Sequence, residues 1–240
     1  MQETDYRREA ESLDRYRRLV ADESGVRLPL PHLDLTTDRV LAMEYVPARP
    51  IKCLWEETHT REQRDRIGEL LQRLVLRELF EFRFMQSDPN YANFEYDAEN
   101  GQLVLLDFGS MVEISAELSD RYRFLIRAAV AEDVERIEQH LLDFGWVDTE
   151  DAPAQRRGLA EFILLAAEPL RSSEPYDYGG SDLAARVQSI GMELTFDDGL
   201  RRPPPPELVF IHRKLAGIYL LCARLGARVP TAGMVEEFLG

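Results

Sequence analysis

A polar loop between a long amphipathic helix and a short apolar strand constrains the fold of this chain more than any other feature. Residues 60–84 place leucine and isoleucine at helical spacing, which predicts a helix with one buried face. The loop after this helix contains Asp88 and Asn93, five residues apart. An apolar run over residues 103–108 predicts a short buried strand, with Asp107 near its end. We therefore expect the three polar side chains to lie close together where the helix and the strand end.

These residue types at this spacing suit phosphoryl transfer. Asp88 can orient or deprotonate the group that accepts the phosphoryl group. The amide oxygen of Asn93 and the carboxylate of Asp107 are the hard oxygen ligands that Mg²⁺ prefers on nucleotide phosphates. Protein kinases have the same separation between the catalytic Asp and the metal-binding Asn, and their second metal ligand begins an Asp-Phe-Gly tripeptide. The pattern predicts Asp88 as catalytic, Asn93 and Asp107 as Mg²⁺ ligands, and ATP as the nucleotide.

The Asp-Phe-Gly tripeptide alone is a weak indication, because Leu-Leu-Asp-Phe-Gly occurs at residues 105–109 and again at 141–145. The second copy ends a segment with helical patterning, so we expect Gly145 to cap a helix there. For the first copy, a β-hairpin-like insertion with turn-forming Asp, Pro and Asn over residues 86–109 remains an alternative.

The first part of the chain predicts a helix followed by a strand. Residues 5–22 show the pattern of an amphipathic helix, and residues 39–46 form a strand-like run that ends before Pro47. Glu9 on the helix is a candidate partner for a phosphate-binding lysine, with a solvated surface charge as the alternative. From about residue 116 the chain is helical almost throughout. The predicted fold class is therefore α+β and mostly helical.

The end of the strand-like run is a candidate nucleotide-binding hinge. In such a hinge, backbone carbonyl and N–H groups contact the edge of adenine, and Met43, Glu44 and Val46 are the candidate residues. A simple strand end is the alternative interpretation.

Composition narrows the function classes. A net charge of −15 argues against a nucleic-acid partner, since such proteins concentrate positive charge on one face. The best candidate for a membrane span is interrupted by residues 212–214, and the first residues lack the pattern of a signal peptide. Cys53 and Cys222 have no metal-ligand spacing and indicate a reducing compartment. The expected location is cytoplasmic.

Several segments resemble the UbiB/ADCK (aarF-domain) family of atypical kinase-like proteins, and its coenzyme-Q-biosynthesis branch in particular. The most specific segment is residues 84–94, which read Phe-Met-Gln-Ser-Asp-Pro-Asn-Tyr-Ala-Asn-Phe and resemble the family pattern FMQ-T/S-DPN-x-x-NF. The resemblance covers essentially the whole chain, because it continues at residues 78–82, 174–179, 204–207 and 212–214.

The resemblance implies a protein-kinase-like C-lobe with a partial N-lobe. The partial N-lobe would be residues 1–46 and the helical C-lobe residues 47–240. Glu3 and Asp5 resemble an acidic E-x-D signature before the helix that bears the ion-pair glutamate, Glu9. The implied activity is that of an ATPase supporting ubiquinone biosynthesis, peripheral to a membrane, with membrane lipid or quinone-biosynthesis proteins as further partners.

The departures from the family pattern concern the phosphate end of the nucleotide. Neither an Ala-rich loop nor a VA-x-K lysine strand is present, and the chain has two lysines, Lys52 and Lys214, which do not match by position. We therefore expect an N-terminally truncated chain in which Glu9 lacks its cation and the first helix exposes its apolar face. A catalytically inactive, pseudokinase-like binding module for a lipid or partner protein is the alternative function, and an unrelated helical structural protein is the third interpretation.

Overall fold

Helices form most of the structure, which is a computed structural model that describes residues 5–56, 58–196 and 206–239. The predicted α+β, mostly helical fold class is confirmed. The α-helices are α1 (Tyr6–Leu19), α2 (Arg61–Arg77), α3 (Ala116–Val130), α4 (Val134–Asp143), α5 (Pro153–Ala166), α6 (Leu183–Phe196), α7 (Pro206–Leu225) and α8 (Thr231–Leu239). The strands are β1 (Val26–Arg27), β2 (Arg49–Pro50), β3 (Phe84–Gln86), β4 (Phe94–Asp97), β5 (Gln102–Leu105), β6 (Met111–Glu113), β7 (Tyr176–Asp177) and β8 (Arg228–Val229).

Two sheets position the polar loop. One has the strand order β1-β5-β4-β2, with β4 and β5 forming an antiparallel hairpin. The other is the antiparallel pair of β3 and β6. The first sheet contains strands from both sides of residue 46, since β1 pairs in parallel with β5. The division into lobes at residue 46 stays a prediction.

Helix α2 begins and ends for identifiable reasons. Thr60 and Gln63 form a capping box, in which each side chain bonds the other residue's backbone N–H. The α-helix ends at Arg77, and the chain continues as a π-helical turn, Glu78–Phe82. Arg83 closes this turn in the left-handed region with φ 49°. The helix predicted over residues 60–84 is therefore an α-helix followed by a π-helical turn.

The apolar face of α1 is buried, so the expectation that it would be exposed is wrong. Ala10, Leu13 and Tyr16 are fully buried. The Tyr16 ring contacts the rings of Phe82 and Phe108, with centroids 5.9 and 5.2 Å away. The π-helical turn and the segment after β5 thus cover a helix that the sequence suggested would need additional strands.

The strand predicted over residues 39–46 is also wrong. This segment makes only isolated bridges, one of them between Pro31 and Met43. Two backbone hydrogen bonds flank that bridge, from the N–H of His32 to Ala42 and from the N–H of Glu44 to Leu30, both 2.8 Å long. The facing segment contains two prolines within three residues, and a ladder cannot continue where the partner lacks N–H donors.

The second Leu-Leu-Asp-Phe-Gly copy has the structure expected of it. Helix α4 ends at Asp143, and Gly145 follows with φ +69°. The N–H of Trp146 bonds the carbonyl of Leu141, and the N–H of Gly145 bonds that of Leu142, which together form a Schellman motif. The prediction of a glycine C-cap is confirmed.

Candidate functional site

The loop of residues 87–93, which we term the Asp88 loop, is tied at both ends to the segment around Asp107. At its start, the backbone N–H and the hydroxyl of Ser87 both donate to the carbonyl of Ser110, at 2.9 and 2.8 Å. At its end, the carbonyl of Asn93 accepts from the N–H of Leu106 at 3.2 Å. These bonds bring the loop and the first Asp-Phe-Gly copy together.

Within the loop, the side chains of Asp88 and Asn93 contact each other. The Asn93 Nδ2 donates to Asp88 Oδ2 at 3.3 Å, and the N–H of Asn90 donates to Asp88 Oδ1 at 3.3 Å. The amide nitrogen of Asn93 is engaged in this bond, so its amide oxygen is the atom left for a cation. A five-residue separation places the two side chains together because a 3-10 turn, Tyr91–Asn93, folds the loop back.

Asn93 and Asp107 line one cavity, as the sequence predicts for two ligands of one ion. Asp107 Oδ1 accepts from the N–H of Gly109 at 2.9 Å, and Oδ2 has no partner among the residues that the structure describes. An amide oxygen and a carboxylate oxygen fit Mg²⁺, which binds few protein ligands and keeps several waters. Within the described ranges no three His, Cys, Asp or Glu side chains form a metal-binding group.

Glu9 reaches the same segment from α1. Its Oε1 accepts from the N–H of Phe108 at 3.4 Å, and Oε2 lies 3.5 Å from where a Cβ on Gly109 would be. Burial raises the pKa of Glu9, the bond from Phe108 opposes this, and the charge of Asp107 adds to the rise. Among the described ion pairs none includes Glu9, and its expected lack of a cation stays a prediction.

A Glu9→Gln substitution is expected to stabilise the chain at neutral pH. The pKa of Glu9 is higher in the folded chain than in the unfolded one. The contribution of Glu9 to stability is therefore fully present at pH values below its pKa in the unfolded chain. It is lost as the pH rises through its pKa in the folded chain. We expect the variant to have the higher free energy of unfolding at neutral pH and to lose this advantage in acid. Urea unfolding across this range, with Glu11→Gln on the exposed side of α1 as control, measures it. A variant less stable than the wild type at neutral pH would contradict the expectation.

The candidate hinge and signature residues have the following surroundings. Met43 is 36% exposed, and Val46 is buried. The carboxylate of Glu44 bonds the N–H of Leu30 at 3.1 Å and also pairs with Arg27.

Asp5, from the acidic signature, caps α1 by accepting from the N–H of Arg8 at 3.2 Å. Glu3, and residues 204 and 205 of the proline motif, lie outside the described residues. Nucleotide contacts by these residues stay predictions.

Helix α7 contacts the site, which the sequence did not indicate. Lys214, set aside because it lies far along the chain, is 3% exposed and lines the same cavity as Asn93 and Asp107. Its neighbour Arg213 has a guanidinium nitrogen 4.0 Å from Asp88 Oδ1. One feature of the sequence could have indicated a role for Lys214. The chain has only two lysines, and this one falls within an apolar helix.

Helix α7 also packs closely on the Asp88 loop through a glycine. A Cβ added at Gly217 would lie 2.1 Å from the Cβ of Pro89, so Gly217→Ala is expected to destabilise the chain by about 1–3 kcal/mol. Gly233→Ala in α8 is the matched control, because a Cβ there meets nothing within 4 Å, and we expect it to stabilise the chain by about 0.5–1 kcal/mol. Thermal unfolding of both variants measures the effects. Equal stabilities of the two would show that α7 does not press on the loop.

Comparison with known proteins identifies the family. Residues 1–141 match the ABC1 atypical kinase-like domain. The chain belongs to the ABC1 atypical kinase-like family. This excludes the third interpretation, an unrelated helical structural protein. It confirms the resemblance inferred from the segment around Asp88.

Individual relatives cover nearly the whole chain. Over 236 residues the chain is 38% identical to the rat (Rattus norvegicus) atypical kinase COQ8B, mitochondrial, which covers 98% of this chain. It is 30% identical over 238 residues to the yeast (Saccharomyces cerevisiae) atypical kinase COQ8, mitochondrial. The chain spans 44% of the length of the rat protein and 46% of the yeast protein. Both relatives are named as mitochondrial, which does not fit the expected cytoplasmic location.

A solved structure supports the fold. The complex of Rv3197 with erythromycin from Mycobacterium tuberculosis matches 99% of this chain and 58% of its own chain, with a TM-score of 0.72 and 21% identity. The two proteins therefore share a fold over nearly the whole of this chain. Among the described helices, none combines the length and the apolar content needed to cross a membrane.

Proposed function

We propose that this chain forms the Mg·ATP-binding part of an atypical kinase-like ATPase. The observation that supports this best is that Asn93, from the Asp88 loop, and Asp107, after β5, line one cavity. Membership of the ABC1 family supports it independently. Hard oxygen ligands from two segments that are hydrogen-bonded to each other can hold a fixed spacing, which binding of phosphate-bound Mg²⁺ requires.

Each residue has a distinct role in this proposal. Asp88 orients or deprotonates the acceptor, which includes water in the case of ATP hydrolysis. The Nδ2 of Asn93 donates to the Asp88 carboxylate, and the amide oxygen of Asn93 would be a ligand of the metal ion. Bound Mg²⁺ would neutralise charge that develops on the phosphates. Met43, Glu44 and Val46 are proposed to contact adenine through their backbone, and Glu9, with Glu3 and Asp5, to organise the phosphate end.

The biological role proposed for this ATPase is support of ubiquinone biosynthesis next to a membrane, with membrane lipid or quinone-biosynthesis proteins as partners. The names of the COQ8 relatives support this assignment, and their mitochondrial location is part of the same proposal. We also propose that the phosphate-binding lysine comes from a segment outside these 240 residues, since the rat relative is more than twice as long as the chain.

A catalytically inactive binding module is the second candidate. The observation that favours it is that Glu9 has no ion-pair partner among the described residues, whereas Lys214 is engaged elsewhere, 3.2 Å from Glu78. Under this proposal the chain binds a lipid or a partner protein without turnover. It then needs no bound nucleotide.

A titration of the purified chain with Mg·ATP distinguishes the two candidates. A ligand that binds only the native state raises stability by RT ln(1 + [L]/Kd), which is about 2.7 kcal/mol at a concentration of 100 Kd. We expect the unfolding temperature to rise logarithmically with Mg·ATP and to rise much less with ATP plus a chelator. A flat response would overturn the ATP-binding proposal and favour the binding module.

A further inference from the structure

One face of α7 touches the Asp88 loop and its flanking residues at several points. Arg213 lies 4.0 Å from Asp88, and Gly217 leaves no room for a side chain against Pro89. Between them, Lys214 extends inward to the residue before the loop, Gln86, and the residue after it, Phe94. The helix therefore contacts both ends and the middle of the segment that carries the predicted catalytic and metal-binding side chains.

Lys214 makes specific contacts in a buried position. Its Nζ donates to Gln86 Oε1 at 3.1 Å and lies 3.2 Å from Glu78 Oε2. The same ammonium lies 5.8 Å from the centroid of the Phe94 ring, within the range of a cation–π contact. An ammonium has three N–H donors, so a single group can hold the strand before the loop and the π-helical turn while it contacts the ring after the loop.

The Glu78 carboxylate joins these contacts to the rest of the site. Its Oε1 accepts from the hydroxyl of Tyr16 on α1 at 2.8 Å and lies 3.5 Å from the N–H of Gln86. Glu78 is 1% exposed and begins the π-helical turn, a distortion that is frequent at functional sites. Burying a charged pair is costly unless further contacts compensate for the lost hydration.

We propose that Lys214 is a positioning residue that fixes the Asp88 loop, through Gln86 before it and Phe94 after it, with Glu78 as its counter-ion. Without Lys214 the loop would keep the Ser87–Ser110 and Asn93–Leu106 hydrogen bonds and the surface contacts of α7 with Asp88 and Pro89, but it would lose the buried contacts at both of its ends. With Lys214 in place, the distance between Asn93 and Asp107 is set before any ligand binds. The consequence for nucleotide binding rests on the proposed function, whereas the effect on the loop does not.

Hydrogen exchange of the full chain without nucleotide tests this directly. Opening of the loop exposes the amides of Ser87, Asn93 and Leu106, which are hydrogen-bonded in the folded chain. We expect Lys214→Met to make exchange in this segment at least about tenfold faster while leaving α4 and α5, which form a separate core, unchanged. Lys52→Met, at the other lysine, is the matched control and should change neither region, because Lys52 is exposed.

A second variant keeps the test valid if Lys214→Met does not fold. In Glu78→Gln/Lys214→Met both charges are removed, so no unpaired charge is left buried, and the loop should again exchange faster than in the wild type. Lys214→Arg, which keeps a donor and a charge, should restore part of the protection.

The outcomes separate a positioning role from a purely structural one. Faster exchange confined to the loop supports the proposal. Unchanged loop exchange in either folded variant overturns it, and so does a uniform increase over all helices, which would show that Lys214 only stabilises the whole chain. Because no nucleotide is present, a failure of Mg·ATP to bind the wild type would refute the proposed function without affecting this result.

Discussion

Asp107→Asn is expected to remove most of the stabilisation of the chain by Mg·ATP and to lower any ATP turnover by about 10²–10³-fold. The substitution replaces the anionic member of the two predicted protein ligands with a neutral amide, while changing neither the size of the side chain nor its ability to accept from the N–H of Gly109. If binding weakens about 100-fold, a nucleotide concentration that stabilises the wild type by about 2.7 kcal/mol stabilises the variant by only about 0.4 kcal/mol.

The chain provides its own matched control for this experiment. Asp143 occupies the position of Asp107 in the second Leu-Leu-Asp-Phe-Gly copy. There it is the last residue of helix α4, and its carboxylate accepts a hydrogen bond from the Gln139 side chain at 2.8 Å. Asp143→Asn should therefore leave both the response to Mg·ATP and the turnover unchanged. Thermal unfolding with and without Mg·ATP measures the binding, and phosphate release measures the turnover. If Asp107→Asn responded to Mg·ATP as strongly as the wild type, Asp107 would not be a metal ligand.

Local sequence patterns predicted those elements whose ends are encoded nearby. Helix α2 was predictable because Thr60 and Gln63 form its cap and because its leucines repeat at helical spacing. The two Leu-Leu-Asp-Phe-Gly copies were told apart by their flanking residues, and Gly145 has the positive φ that a glycine cap requires. The juxtaposition of Asp88 and Asn93 followed from a five-residue separation in one short loop.

Features that depend on contacts distant in sequence were not predictable in this way. The strand over residues 39–46 had suitable residues, but its pairing depends on the facing segment, where Pro31 interrupts the ladder. The apolar face of α1 is buried by contacts of Tyr16 with Phe82 and Phe108, which lie far from Tyr16 in the sequence. Lys214 enters the site from α7, 128 residues beyond Gln86, and no local pattern specifies that approach.

Glu78→Gln is expected to lower the free energy of unfolding by about 3–5 kcal/mol, the largest loss of stability among the substitutions considered. It leaves the ammonium of Lys214 buried without its counter-ion, at a position 3% exposed. The hydroxyl of Tyr16 keeps an acceptor in the amide oxygen, so the loss reflects charge rather than shape. Glu81→Gln in the same π-helical turn is the control, since the Glu81 side chain is 48% exposed and its pair with Arg77 should contribute at most about 1 kcal/mol.

The double variant Glu78→Gln/Lys214→Met is expected to be more stable than Glu78→Gln alone and close to the wild type. Burial raises the pKa of Glu78, although Lys214 and the bond from Tyr16 lower it, so the pair only partly offsets the cost of its own desolvation. Removing both charges removes that cost as well, and the resulting coupling in a double-mutant cycle should exceed about 2 kcal/mol. Urea unfolding followed by circular dichroism measures all four states of the cycle. Additive losses from the two single substitutions would mean that Glu78 and Lys214 are not an ion pair.

Stability and hydrogen exchange together show what the pair is for. If the double variant is as stable as the wild type but its loop exchanges faster, the pair is retained for the geometry of the site and not for the stability of the fold.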